Sequence, residues 1–153
     1  MLTIISGGQT GVDQAALAVA WDLGYPTGGT APLGYLTDQG PMPELLRDKY
    51  GPKESWSPSY RIRTIQNVKD GDFTVWFGDP DSPGGQLTIG TCRGKGNRPY
   101  RINPEAEVLL RLLTGEYAGI QVLNVAGNRL RTNPEAWQRA SVILTSVLTD
   151  LCG

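Results

Sequence analysis

The sequence predicts an α/β protein in which a mostly parallel sheet of about five strands carries helices on both faces. Three observations point there. Short apolar runs stop at glycines, segments of helical period lie between them, and the two kinds alternate along the 153 residues. Parallel neighbours need long crossovers, and their right-handedness distributes helices over both faces.

Leu2 to Ser6 is a short apolar run stopped by Gly7-Gly8, the pattern of a buried strand. Val12, Ala16, Val19, Ala20 and Leu23 then recur at helical period, and Gly24 stands where such a helix ends. Tyr25-Pro26-Thr27 predicts a brief second strand, closed by Gly28-Gly29. From Thr30 to about Tyr60 five prolines interrupt the chain and no period is readable, which predicts an irregular, lid-like loop at about 30–60. Ser59 to Lys69 has the spacing of a helix, with Tyr60, Arg63, Thr64 and Asn67 on one face. Phe73 to Phe77 is a buried strand followed by a loop over 78–85, with a helix expected from Gln86 to Cys92. Pro99 to Ile102 and Gln121 to Val125 are the remaining strands, the latter ending in an Ala126-Gly127 turn. Pro104 opens a helix to Leu113, and Asn133 caps the last one, from Pro134 to about Leu151.

Residues 1–153 read as one domain, since this length suits a single core. The formal charge of -1, without any basic block, argues against nucleic acid as partner. No apolar run approaches the roughly 20 residues that span a bilayer. The start, Met1 to Ile5, looks like a strand rather than a secretory leader, and two cysteines make no disulfide framework, so a cytoplasmic location is expected. The chain has no histidine, which removes Ser-His-Asp and Cys-His catalysis and imidazole metal sites; no metal site is expected.

In such sheets ligands sit beyond the carboxyl ends of the strands. Gly7-Gly8-Gln9-Thr10-Gly11-Val12-Asp13 is the first candidate, because a glycine turn entering a helix can present backbone amides to a phosphate. It is not an NAD fingerprint, since Gly28, Gly29 and Thr30 stand where an acid should end the second strand. It is not a Walker loop either, because no lysine follows Gly11. Asp13 either complements the helix dipole or orients the loop and ligand. Gly84-Gly85 with Thr88 repeats the glycine-before-helix logic, and Arg61, Arg63, Thr64 and Asn67 supply donors for an anion.

The run Gly7 to Leu17 resembles the opening motif of the molybdenum cofactor carrier family. Matching segments follow in order: Pro26-Thr27-Gly28-Gly29, Gly40 to Pro43, Tyr60-Arg61-x-Arg63-Thr64-x-x-Asn67-Val68, Gly84-Gly85-x-Leu87-Thr88, and Leu123 to Gly127. The resemblance covers nearly the whole chain. It implies a Rossmann-like three-layer fold and binding of the molybdenum cofactor, a pterin with a terminal phosphate, as carried ligand rather than as substrate. It implies contacts from Gly7, Gly8, Gln9, Thr10, Gly11, Asp13, Gly28, Gly29, Arg63, Thr64, Asn67, Gly84, Gly85, Leu87 and Thr88. Molybdoenzymes or cofactor-synthesis proteins are the implied partners, together with a homo-oligomeric state. The same superfamily includes LOG-type phosphoribohydrolases and nucleotide sensors, so a nucleotide-binding protein or a nucleoside-monophosphate hydrolase is the alternative. The LOG motif Pro-Gly-Gly-x-Gly-Thr-x-x-Glu ends here at Thr91, and the resemblance therefore implies no catalytic residue. The family's basic residue is absent from Pro32-Leu33-Gly34-Tyr35, so its contact to an anionic ligand is either missing here or supplied by Lys53.

Overall fold

A computed structural model describes residues 1–94 and 96–153. Five parallel strands form the central sheet: β1 (Thr3–Ile5), β2 (Thr27–Gly28), β7 (Phe73–Phe77), β8 (Tyr100–Ile102) and β9 (Val122–Gly127), in the order β2-β1-β9-β7-β8. Ile4 pairs with Leu123, and Phe73 with Leu123 on the other side, so β9 lies between β1 and β7.

The connections explain the layers. The chain moves one way across the sheet from β1 to β2 and from β8 to β9, and the other way from β2 to β7 to β8. Right-handed crossovers then place α1 (Val12–Asp22) and α4 (Ala106–Thr114) on one face, joined there by α5 (Pro134–Cys152). On the other face α2 (Tyr60–Asp70) packs against α3 (Pro83–Gly94). This is the Rossmann-like arrangement.

The two faces differ in chemistry. Phe73, Val75 and Phe77 point toward α1, α4 and α5 and join Ile4, Leu123, Leu144 and Leu148 in the main apolar core. The alternate residues face α2 and α3, where Asn124 Nδ2 donates to Thr74 Oγ1 at 3.3 Å and Trp76 is buried. No helix among the described residues is long and apolar enough to cross a membrane.

Several boundaries depart from expectation. The third α-helix begins at Pro83 rather than at Gln86, because Ser82 caps it: Ser82 Oγ accepts from Gly85 N at 3.2 Å. Gly84 and Gly85 are thus its first turn and not part of the preceding loop. The fourth helix begins at Ala106, after Pro104 and an extended Glu105. Strand β9 continues through Ala126-Gly127, since Trp76 and Phe77 extend its pairing with β7.

The stretch at 30–60 is not irregular. It holds β3 (Thr30–Ala31) paired with β6 (Lys53–Glu54), a hairpin of β4 (Leu36–Thr37) and β5 (Gly40–Pro41), a 3-10 turn at Leu33–Tyr35 and a π-helical turn at Glu44–Tyr50. Leu46, Tyr35, Tyr50 and Ala31 close a second apolar cluster over Leu17 of α1. That burial anchors the segment to α1.

Candidate functional site

Connections leave β1 and β7 in opposite directions, and β9 stands between them. A crevice therefore opens at the carboxyl ends of these three strands. A cleft of about 290 Å³ occupies it, at the lower end of ligand-site sizes. Gln9 lines it from the loop after β1, and Tyr60, Arg63 and Thr64 from the first turns of α2. Trp76 of β7 lines it too, as do Ser82, Pro83, Gly84 and Leu87 at the start of α3. Gly127, Asn128, Arg129 and Thr132 contribute from the end of β9 and the loop beyond it. This lining holds two arginines, several hydroxyls and no carboxylate.

The loop after β1 is closed on itself. Gly8 N donates to Ser6 Oγ at 3.4 Å, Thr10 N to Gln9 Oε1 at 3.0 Å, and Val12 N to Asn128 O at 3.3 Å. Gln9 N donates to Asp13 Oδ2 at 3.3 Å, and the amides of Gly127 and Gly7 also favour the Asp13 carboxylate. Arg63 Nη1 donates to the same Oδ2 at 3.2 Å. Asp13 is only 2% exposed. Burial pushes its pKa up, while Arg63 and the three amides pull against that rise. The seat that a glycine turn and helix N-terminus would offer a phosphate is thus filled by the chain's own carboxylate. Gly7 makes room for this pair, since a Cβ there would lie 2.0 Å from Arg63 Nη1.

The loops after β7 and β9 are cross-tied. Asn128 Oδ1 accepts from Asp79 N at 2.7 Å, and its Nδ2 donates to Ser82 Oγ at 3.1 Å. Asn103 grips Gly78 from the other side, accepting from its N–H and donating to its carbonyl, each at 2.8 Å. The α3 N-terminus, with its positive end of the helix dipole, is held rigidly against the cleft. Thr91, where LOG enzymes carry glutamate, donates its hydroxyl to Leu87 O at 2.6 Å and stays within its own helix.

Of the candidates read from sequence, Gln9, Arg63, Thr64, Gly84 and Leu87 line the cleft. Gly7 and Asp13 stand behind Arg63. Others are placed elsewhere. Thr10 donates to Asp38 Oδ1 at 2.7 Å, tying the loop to the β4–β5 hairpin. Gly8 backs onto Leu46, Gly11 onto the loop after β9, Gly29 onto Ser6, and Gly85 onto the carbonyls of Asp79 and Pro80. Gly28 belongs to edge strand β2. Asn67 bonds both the N–H and the carbonyl of Thr30, at 2.8 and 2.9 Å, and Thr88 lies on the buried face of α3. Arg61 and Lys53 are exposed and do not line the cleft. Nor does any residue of the 30–59 stretch, so the segment expected as a lid is a buttress of α1 and of the first loop instead.

Trp76, Ser82, Asn128, Arg129 and Thr132 are lining residues that the sequence did not single out, while Tyr60 was read only as sharing a helix face with Arg63 and Thr64. One signal was available. A tryptophan inside a buried strand needs a partner for its N–H.

Fold and cleft together define a Rossmann-like protein with a donor-rich cleft at the switch point of its sheet. The model of the circularly permutated YpsA SLOG family matches residues 4–148, and the chain belongs to that family. A crystal structure of a "Putative molybdenum carrier protein" from Syntrophus aciditrophicus SB is similar to it. That protein is 33% identical, the match covers 97% of this chain and 95% of that one, and the TM-score is 0.84. No curated protein matches the chain.

Proposed function

We propose that this protein carries the molybdenum cofactor, holding a phosphate-bearing pterin in the cleft between α2 and α3. The observation that carries the reading is the lining itself. It offers Arg63, Arg129, the α3 N-terminus and the hydroxyls of Thr64 and Thr132, with no carboxylate among them. Such a surface favours an oxyanion and disfavours a cation. Tyr60 and Leu87 add apolar area for a flat ring. The resemblance of the chain's motifs to molybdenum cofactor carriers, and the name of its structural relative, support the pterin as the ring.

A phosphoribohydrolase would need a carboxylate beside the sugar. The equivalent position is Thr91, and the nearest buried acid, Asp13, is engaged by Arg63 and three amides. Nucleoside monophosphates are therefore expected to survive incubation with the protein. A carrier in the cytoplasm would pass its cargo to a molybdoenzyme or receive it from a cofactor-synthesis protein. Protein purified gently from a molybdenum-replete host should yield an oxidised pterin by fluorescence and mass spectrometry. A co-purifying nucleotide without pterin, or release of free base at enzymatic rates of about 1 per second, would replace this reading with the nucleotide one.

A further inference from the structure

The central sheet ends at β8, where Arg101 and Ile102 are exposed and no described strand pairs on the outer side. Thr74 N donates to Pro99 O at 3.1 Å and Asn103 N to Trp76 O at 2.7 Å, so residues 99, 101 and 103 turn their backbone groups toward β7. Backbone groups alternate between the two sides of a strand. Tyr100 and Ile102 therefore hold two N–H and two C=O groups out to the free edge. Side chains alternate between the faces of the sheet. Ile102 pairs with Trp76 and shares its α2–α3 face, where it lines a recess of about 340 Å³ with Pro80, Ile89 and Gly90. A Cβ on Gly90 would meet nothing within 4 Å, so the recess is open. Its charged residues are Arg93 and Asp81. Arg93 is fixed over Tyr100, donating from Nε to Tyr100 Oη at 2.8 Å. Arg101 pairs with Val75, lies on the opposite face, and enters no ion pair among the described residues. Residues 93–101 carry four basic residues and no acid.

We propose that β8 is a docking edge for an extended acidic segment of a partner protein, which adds to the sheet with an acid beside Arg101 and an apolar residue in the recess next to Ile102. The inference is independent of what the cleft holds. In strand addition the main-chain bonds give affinity, and pockets for alternate side chains give specificity. A free edge is a hazard that proteins guard with a charge on the edge strand. Here the guard also selects the occupant. If two copies of the chain paired antiparallel through β8, the register that joins Tyr100 of each to Ile102 of the other would set Arg101 directly opposite Arg101, in the closer, non-hydrogen-bonded kind of pair. Like charges there destabilise the pairing, whereas an opposite charge supports it. A nucleic-acid strand is a poor fit for a different reason. Phosphates only accept hydrogen bonds, so the two edge carbonyls would stay unpaired.

The test titrates the full wild-type chain, in 1H–15N spectra, with the peptide acetyl-Thr-Val-Glu-Val-Asp-Val-Thr-amide and with a control in which lysine replaces both acids. Hydrogen exchange of the β8 amides is read with and without each peptide. The acidic peptide should shift the Tyr100 and Ile102 amides and slow their exchange, while the inward Arg101 amide exchanges as before. The lysine peptide should do neither. Arg101→Glu, made at an exposed side chain, should weaken the acidic peptide about fivefold or more and admit the lysine peptide. Should that variant misfold, the wild-type titrations decide. Protection of Tyr100 and Ile102 that grows with protein concentration in the absence of peptide would give the edge to a second copy, and the proposal falls. Shifts at Arg93 and Arg101 without protection of Tyr100 and Ile102, whether with the acidic peptide or with a thymidine oligonucleotide, would reduce the edge to a charged patch and overturn it. Equal protection by both peptides, or a response to neither, overturns it as well. None of these outcomes bears on the cleft.

Discussion

Two glycine-rich turns enter helices at the same edge of the sheet, one after β1 and one after β7, and they serve opposite ends. In the first, the amides converge on Asp13, and the loop is packed from both sides by Leu46 and by the chain beyond β9. In the second, Ser82 and Asn128 hold the α3 N-terminus open to the cleft. The lesson is that a glycine turn before a helix marks a place for negative charge without saying whose. Here one turn receives it from its own sequence four residues on, and the other faces a cavity.

The strongest way to break this comparison is to empty the first turn. Asp13→Ala leaves Arg63 buried against three amides without its counter-charge, at a cost of about 3 kcal/mol. Formate is small enough to refill the vacated seat, so it should recover part of the loss in the variant and none in the wild type. Thermal unfolding with and without formate measures this. If formate stabilises both proteins equally, Asp13 is not standing in for an anion.

Gly11→Ala tests the packing of the same turn. Gly11 has φ 87° and ψ -130°, and a Cβ there would come 2.5 Å from Leu130 N and 2.6 Å from Asn128 O. Both atoms are backbone, so relief requires moving the loop after β9. The expected loss is about 2–3 kcal/mol. A urea midpoint within error of wild type would show that the first turn has slack that the geometry denies.

A smaller effect concerns pH. Burial raises the Asp13 carboxyl above its ordinary 3.8. Folding then binds a proton between pH 3.8 and the folded-state value. The contribution of Asp13 to stability is full below pH 3.8 and is lost as pH rises through the folded value. Asp13→Asn removes that dependence. The wild-type stability minus that of the variant should therefore decline over this window in urea titrations. A difference that grows with pH would mean that Arg63 and the amides outweigh burial.

These effects also mark how much was legible in the sequence. Glycines and helical periods are local, so β1, α1, β7 and the two turns were readable. What the turns contain was not, because Asp13 and Arg63 lie 50 positions apart. Arg129 and Thr132 became lining residues only because β9 inserts between β1 and β7, an order that no local pattern states. Trp76 was visible as part of a buried strand, but its sheet face decides whether it meets the core or the cleft. The 30–60 stretch failed for a different reason. Its strands are two residues long, and the longer of its two helical turns closes Gly51 N to Leu46 O at 2.7 Å, a π-type bond that breaks the 3.6-residue period.

The smallest effect comes from the second turn and has the opposite sign. Gly84 has an ordinary helical backbone, and its nearest neighbour to an added Cβ is Trp76 Cη2 at 3.5 Å, a normal van der Waals contact. Alanine there restricts the unfolded chain and suits the first turn of α3, so Gly84→Ala should stabilise the protein by about 0.5–1 kcal/mol. The same methyl group stands at the cleft wall and narrows the approach to Trp76. Stability and binding should thus move apart, with a higher unfolding midpoint and weaker association with inorganic phosphate. In the first turn, by contrast, Gly11→Ala should lower the midpoint. If Gly84→Ala destabilises the fold as Gly11→Ala does, the second turn is as tightly filled as the first, and the distinction between a turn that seats its own carboxylate and one that waits on a ligand is lost.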